Sequence, residues 1–195
     1  MTTGAAIPAG PGDKPRILIV GAGIAGLTLA ASLEQFGITP TIVEVEKASM
    51  SRGLALMLTS NVAVALRRVG LDRPVIDRGI ALERKVHIDP SGTPVEDLHD
   101  LGPANDRYAP NIGITRDGLI SALSSATHAR IRYSTTIASF DNSPDVPEVV
   151  LSDGTSGRFD LVVGADGIGS AVRQLIYPRI KPAYRSFKDT IHALT

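Results

Sequence analysis

The apolar run Ile17-Leu-Ile-Val20 opens directly into Gly21-Ala-Gly-Ile-Ala-Gly26, three glycines at GxGxxG spacing. Four consecutive apolar residues before a glycine-rich turn predict a buried β-strand. The apolar spacing from Ala22 to Phe36 predicts a helix, closed by Gly37 as its C′ residue. A second apolar run, Thr41-Ile-Val43, ends in the acidic residue Glu44. Strand, tight turn, helix, strand, acid is the order of a parallel α/β sheet that holds the ADP half of a dinucleotide. Gly21 permits the tight turn, Gly23 lets backbone approach a pyrophosphate, and Gly26 lets the helix pack closely on the sheet. The helix then points its N-terminal N–H groups and dipole at the phosphates. Candidate binding residues are therefore Gly21, Ala22, Gly23, Ile24, Ala25 and Gly26, with Glu44 placed to accept hydrogen bonds from ribose hydroxyls. A carboxylate there repels a 2′-phosphate, which excludes NADP as the resident nucleotide. The alternative is a glycine-rich βα turn with no ligand.

Composition narrows the class. With 195 residues the chain can bury one good core and a small appendage. Its 20 basic and 20 acidic side chains cancel, and no Lys/Arg cluster exceeds two neighbours, which argues against a nucleic-acid groove or an anionic membrane surface. The absence of cysteine excludes disulfides, a thiol nucleophile and thiolate metal sites. His87, His99, His128 and His192 show no metal-ligand spacing, so no metal is expected. Lys14 and Arg16 ahead of an apolar stretch imitate a signal peptide, but the glycines sit at nucleotide-loop spacing and the run is too short to span a bilayer. The expectation is a cytoplasmic protein with residues 1–14 as a disordered leader.

Downstream, Arg52-Gly53 introduces the apolar segment Leu54–Leu58, and Asn61 is expected to cap a helix over Val62–Val69, closed by Gly70. Residues 84–98 read as a β-hairpin turning at Pro90-Ser-Gly-Thr93, and Leu101–Asn111 as a loop. Thr115 is the expected N-cap of a helix whose apolar face is Leu119, Ile120 and Leu123. Ile131–Phe140, Glu148–Leu151 and Gly157–Phe159 read as three strands of an antiparallel meander around Asp153-Gly154. Asp160–Gly164 reads as one more buried strand, followed by a helix from Ser170 to Ile176.

The second motif is Gly164-Ala-Asp-Gly-Ile-Gly-Ser-Ala-Val-Arg173. It delivers another glycine-lined strand end and helix start to the same sheet edge, with a carboxylate at Asp166, whose alternative is to cap the last helix or make a turn. Gly21–Gly26, Glu44, Arg52-Gly53, Thr115-Arg116 with Leu119 and Leu123, and this motif together resemble the class A flavoprotein monooxygenases, the p-hydroxybenzoate hydroxylase-like aromatic hydroxylases. The resemblance runs from about Pro15 to Pro178. It implies a Rossmann-like parallel sheet with an antiparallel β-meander, an FAD-binding domain over residues 15–178, and the start of a substrate domain over 179–195. By that resemblance Glu44 binds ribose and Arg52 and Arg116 serve the FAD. Asp166 and Gly167 help hold the pyrophosphate and the passing nicotinamide nucleotide, while Ser170 and Arg173 buttress their loop. One departure is that Val45 and Glu46 follow Glu44, where the family commonly has a basic residue.

The implied activity is hydroxylation of a small, aromatic substrate, with NAD(P)H as transient co-substrate and O2 as oxidant. The chemistry belongs mostly to FAD, and no protein nucleophile or general base stands out. Family members continue into a substrate sheet and a Gly-Asp motif; here no Gly-Asp pair follows Arg173, and Phe187–Leu194 reads as the opening strand of that sheet. The expectation is therefore an incomplete enzyme, poor in FAD retention by itself, with a partner chain completing the missing half. The alternatives are a non-catalytic FAD-binding remnant or partner module, or another two-motif flavoprotein oxidoreductase.

Overall fold

The computed structural model describes residues 14–47, 55–83, 85–98, 110–141 and 148–180. Residues 1–13, Arg52-Gly53, the body of the 101–111 loop and Phe187–Leu194 lie outside the described residues. In chain order the first elements are β1 (Ile17–Val20), α1 (Ile24–Glu34), β2 (Thr41–Val43), β3 (Ala55–Leu58) and α2 (Ser60–Arg68). Next come α3 (Asp72–Ile76), β4 (Ile80–Leu82), β5 (Lys85–Ile88), β6 (Pro94–Leu98), β7 (Asn111–Thr115) and α4 (Arg116–Ser125). The last are β8 (Ile131–Arg132), β9 (Ile137–Asp141), β10 (Glu148–Leu151), β11 (Ser156–Arg158), β12 (Leu161–Gly164) and α5 (Ala171–Ile176). They fall into two compact units, residues 1–50 with 127–189, and residues 51–126 with 190–195.

The first unit is built on a four-stranded parallel sheet in the order β12-β1-β2-β8. Strand β1 is central and buried along its whole length, as a fully apolar run requires when both faces are covered. Because Val20 pairs with Val43 and Ile19 with Ile42, the two strands present matched residues to each face. Leu18, Val20 and Val43 point into a core closed by Ile137, Val149, Leu151, Phe159 and Val172. Ile19 faces α1, whose Leu27, Ala30 and Ala31 are buried. A three-stranded antiparallel meander, β9-β10-β11, supplies the far wall of that core.

Two strand expectations are corrected here. The stretch Ile131–Phe140 is not one strand, because Ser134 adopts a left-handed φ of +54° and turns the chain out of the parallel sheet. Its first part, β8, pairs with β2, and its second part, β9, pairs antiparallel with β10. Strand β12 is not fully buried either. It is the edge of the parallel sheet among the described residues, with Leu161 51 % exposed. An edge strand has only one neighbour, so an apolar run there does not need two covered faces.

Ion pairs and caps fix this unit at its periphery. Lys14 Nζ donates to the Gly37 carbonyl at the C-terminal end of α1, 2.7 Å away, where a cation complements the helix dipole. Gly37 has φ +72°, consistent with its expected place after the helix. Glu34, in the last turn of α1, accepts the Thr127 hydroxyl at 2.8 Å and the His128 N–H at 2.9 Å. Burial would raise the Glu34 carboxyl, but the His128 and Thr127 hydrogen bonds outweigh it and hold the group below its ordinary value.

The second unit has a three-stranded antiparallel sheet, β3-β7-β4, with β7 central. Strand β7 was not anticipated. Its Ile112-Gly-Ile114 core is only three residues between polar flanks, too short to register as a period. Leu119 and Leu123 of α4 are buried as expected, but Ala122 rather than Ile120 completes the face. Burying a leucine side chain contributes about 1.5–3 kcal/mol, so this stripe is enough to dock the helix. Thr115 caps α4 by accepting the Gly118 N–H at 3.0 Å. Helix α2 starts two residues earlier than expected: Thr59 rather than Asn61 is its N-cap, and the buried Asn111 side chain accepts the Ser60 N–H at 3.1 Å. Strands β5 and β6 form the expected hairpin, its turn organised by Asp89, which accepts from Ser91 and Thr93.

Candidate functional site

Both glycine motifs lie in the first unit, at the C-terminal ends of β1 and β12, which run parallel with Val20 opposite Gly164. Gly21 adopts φ +108°, donates its N–H to the Val43 carbonyl at 2.7 Å, and leaves no room for a side chain. A Cβ on Gly21 would stand 2.5 Å from the Ala165 carbonyl oxygen and 2.9 Å from the Asp166 Cα. The Ala165 N–H in turn donates to Val20 O at 2.7 Å. The two motifs, far apart in sequence, therefore touch backbone to backbone at one sheet edge, where adjacent parallel strands bring their C-terminal ends together.

Gly26 is a packing residue. A Cβ there would enter the van der Waals envelope of the Gly21 carbonyl oxygen and lie 3.2 Å from Ile19 Cγ2. Gly23 is different: nothing lies within 4 Å of the Cβ position. It is the N-cap of α1, with φ −76° and ψ −174°, and no side chain caps the helix. Ile24 and Ala25, the first helical residues, are exposed. The start of α1 thus has no side-chain cap and open space beside its N-cap, an arrangement suited to a phosphate group.

Glu44 stands just past β2, and its carboxylate reaches back to the glycine loop. One oxygen accepts the Ala22 N–H at 2.7 Å and the other accepts the Glu46 N–H at 2.9 Å. An ionised carboxylate offers about four lone-pair sites, so each oxygen retains capacity for a hydroxyl donor. The backbone of Glu44 is held as well. Its N–H donates to Arg132 O at 2.9 Å, and its carbonyl accepts the Thr135 N–H at 2.9 Å.

Asp166 lies at the same edge as Gly21, but its carboxylate is directed onto the N-terminus of α5. One oxygen accepts the Ser170 hydroxyl at 2.6 Å, and the other accepts the N–H groups of Ala171 at 2.6 Å and Val172 at 3.1 Å. Ser170 caps the same helix by accepting the Arg173 N–H at 2.9 Å, and the Arg173 guanidinium donates to the Ile168 carbonyl. The loop between them is left open: Gly167, at φ +74°, and Gly169 have nothing within 4 Å of a Cβ. Gly164 permits α5 to approach, since a Cβ there would sit 2.9 Å from Val172 Cβ.

Arg116 belongs to the second unit, at the first position of α4 and half-buried. A cation in a helix's first turn opposes the dipole, so helix stability does not account for it. What the sequence reading missed is the support behind Glu44, the turn at Tyr133-Ser-Thr135. The polar cluster Ser134-Thr-Thr136 in the middle of a predicted strand was the available signal.

The profile of the FAD binding domain family matches residues 14–186, and the chain belongs to that family. It is 36% identical over 166 residues to the 3-amino-4-hydroxybenzoate 2-monooxygenase PtmB3 of Streptomyces platensis, covering 83% of this chain and 41% of that protein. It is 31% identical over 172 residues to the aurachin C monooxygenase/isomerase of Stigmatella aurantiaca, covering 88% and 45%. Among solved structures, a variant of Klebsiella pneumoniae HpxO complexed with FAD superposes with a TM-score of 0.70 at 25% identity, over 82% of this chain and 42% of that one. The chain thus spans less than half the length of these relatives. FAD suits the residues present. The space at Gly23, Gly167 and Gly169 admits phosphates against backbone, and Glu44 is placed beside the loop that would carry them. Among the described residues no helix is long and apolar enough to cross a membrane, and no His/Cys/Asp/Glu group could hold a metal.

Proposed function

We propose that the chain is the FAD-binding part of an FAD-dependent monooxygenase that uses NAD(P)H and O2 to hydroxylate a small aromatic substrate. The observation that carries the reading is the backbone contact between Gly21 and the Ala165-Asp166 peptide, which makes one open, glycine-lined edge from two motifs. In this reading the N–H groups at the start of α1 bind the pyrophosphate, Gly23 leaves the space for it, and Glu44 accepts the ribose hydroxyls. Asp166 acts on the second loop from behind. Its carboxylate secures α5, and that fixes Gly167 and Gly169 against the ligand. Arg116 and Arg52 are further FAD contacts by family resemblance. When bound, FAD supplies the redox chemistry, taking electrons from a nicotinamide nucleotide and passing one oxygen atom of O2 to the substrate. The aromatic substrate class rests on relatives named for an aminohydroxybenzoate.

The test is competition on the protein reconstituted with FAD. ADP should displace FAD, and 2′-phospho-ADP-ribose should do so far less well, because its extra phosphate meets the Glu44 carboxylate. Equal displacement by both would overturn the assignment of this edge as the FAD site.

A further inference from the structure

We infer that Ser134 is a positioning residue for nucleotide binding, acting through Glu44. The inference rests on the ribose role proposed above for Glu44. Strand β8 pairs with β2 only through Ile131 and Arg132, whose partners are Ile42 and Val43. Beyond that point the ladder does not stop. Glu44 N–H donates to Arg132 O at 2.9 Å, Thr135 N–H donates to Glu44 O at 2.9 Å, and Ser134 N–H donates to Glu46 O at 3.2 Å. A regular continuation of the parallel ladder would place the Ser134 N–H on the Glu44 carbonyl, whereas here the Glu44 carbonyl is taken by Thr135 and the Ser134 N–H moves on to Glu46. The left-handed turn at Ser134, φ +54°, lets two successive N–H groups, which would point to opposite sides of an extended strand, both bind the segment Glu44–Glu46.

The turn is also locked from within. Thr135 is buried, 4 % exposed, and its hydroxyl donates to the Tyr133 carbonyl at 3.0 Å. The result is that Glu44 is fixed at its N–H and its carbonyl by the 132–135 segment, while Ala22 and Glu46 fix its two carboxylate oxygens. Ser134 is the only non-glycine residue with positive φ among the described residues. Such conformations are uncommon away from Gly, Asn and Asp, and persist where surrounding structure enforces them. Here the enforced turn sets the acid that the ribose must meet.

The test uses ADP and 2′-deoxy-ADP as probes in calorimetric titrations of the 195-residue chain. Loss of one hydrogen bond to a charged acceptor predicts that the wild type prefers ADP by about tenfold. Ser134→Gly, which tolerates the left-handed turn, should keep that preference. Ser134→Val, whose branched side chain disfavours it, should bring the ratio close to one while 2′-deoxy-ADP affinity changes little. A general loss of folding would weaken both ligands together. Ser134→Asn is the second variant for the case in which valine prevents folding. It accepts the left-handed conformation and should behave as wild type, whereas a lost ADP preference in both Asn and Gly variants would overturn the inference. Retained discrimination in a folded Ser134→Val would overturn it too. If the wild type bound neither nucleotide, the ribose role of Glu44 itself would fail, a result distinct from either.

Discussion

Replacing Gly26 by alanine sets two magnitudes of opposite sign against each other. Gly26 is in the first turn of α1, and by helix propensity alone Gly→Ala is stabilising by about 1 kcal/mol. The structure reverses the sign. The new methyl would fall on the Gly21 carbonyl oxygen, with Ile19 Cγ2 3.2 Å away on the other side. That carbonyl cannot yield easily, because Gly21 is pinned by its bond to Val43 and by contact with the Ala165 peptide. Overpacking against fixed neighbours costs about 3 kcal/mol at the upper end of the usual range, which leaves a net loss of about 2 kcal/mol. For a chain of this size that is a fall in Tm of about 4–8 °C. Gly23→Ala is the control. Its Cβ meets nothing within 4 Å and φ is −76°, so stability should stay within about 1 kcal/mol of wild type. Urea denaturation of both variants, followed by circular dichroism, separates a glycine kept for packing from one kept for a ligand. Gly26→Ala as stable as wild type or more so would refute the close-packing argument.

Other expectations follow from the caps and carboxylates. Asp166→Ala removes the acceptor for Ser170, Ala171 and Val172 and should cost about 1–2 kcal/mol, with faster amide exchange at Ala171 and Val172, whereas Asp166→Asn should retain most of the stability. Glu34 has a folded-state pKa below its ordinary 4.5, so its contribution is fully present above that value and is lost as pH falls through the lower folded value. Acid titration of stability should therefore be shallower below about pH 4.5 in Glu34→Gln than in wild type, and identical slopes would show that the Thr127 and His128 hydrogen bonds do not stabilise the charged form.

The nucleotide-binding half of the fold was legible because it depends on strong, local signals. Four apolar residues, a glycine triplet and an acid at the end of the next strand constrain one another, and β1, α1 and β2 stand where they predict. The same holds for the helix that starts at Ser170 and for the meander turn at Gly154, whose φ is +82°. What was not legible depends on tertiary pairing. Residues 131–140 read as strand on both sides of Ser134-Thr-Thr136, a weak turn signal, and it is pairing with the Glu44–Glu46 backbone, distant in sequence, that fixes the turn at Ser134. Strand β7 has a short apolar core whose burial comes from β3 and β4 on either side. Asp166 could be placed at the sheet edge from its strand-to-helix position, but the direction of its carboxylate could not be. A side chain four residues before a serine cap can face a ligand or the helix, and only the three-dimensional loop decides between them.

The central claim is that the edge formed by Gly21–Gly26 and Glu44 holds the ADP half of a dinucleotide. Calorimetric titration of ADP into wild type, Glu44→Ala and Gly23→Val tests it without requiring turnover. The account predicts binding by the wild type and weaker binding by Glu44→Ala, by about 1–3 kcal/mol. Gly23→Val should abolish it, because a branched side chain fills the space left open at that N-cap. Equal ADP affinity in wild type and folded Gly23→Val would contradict the claim.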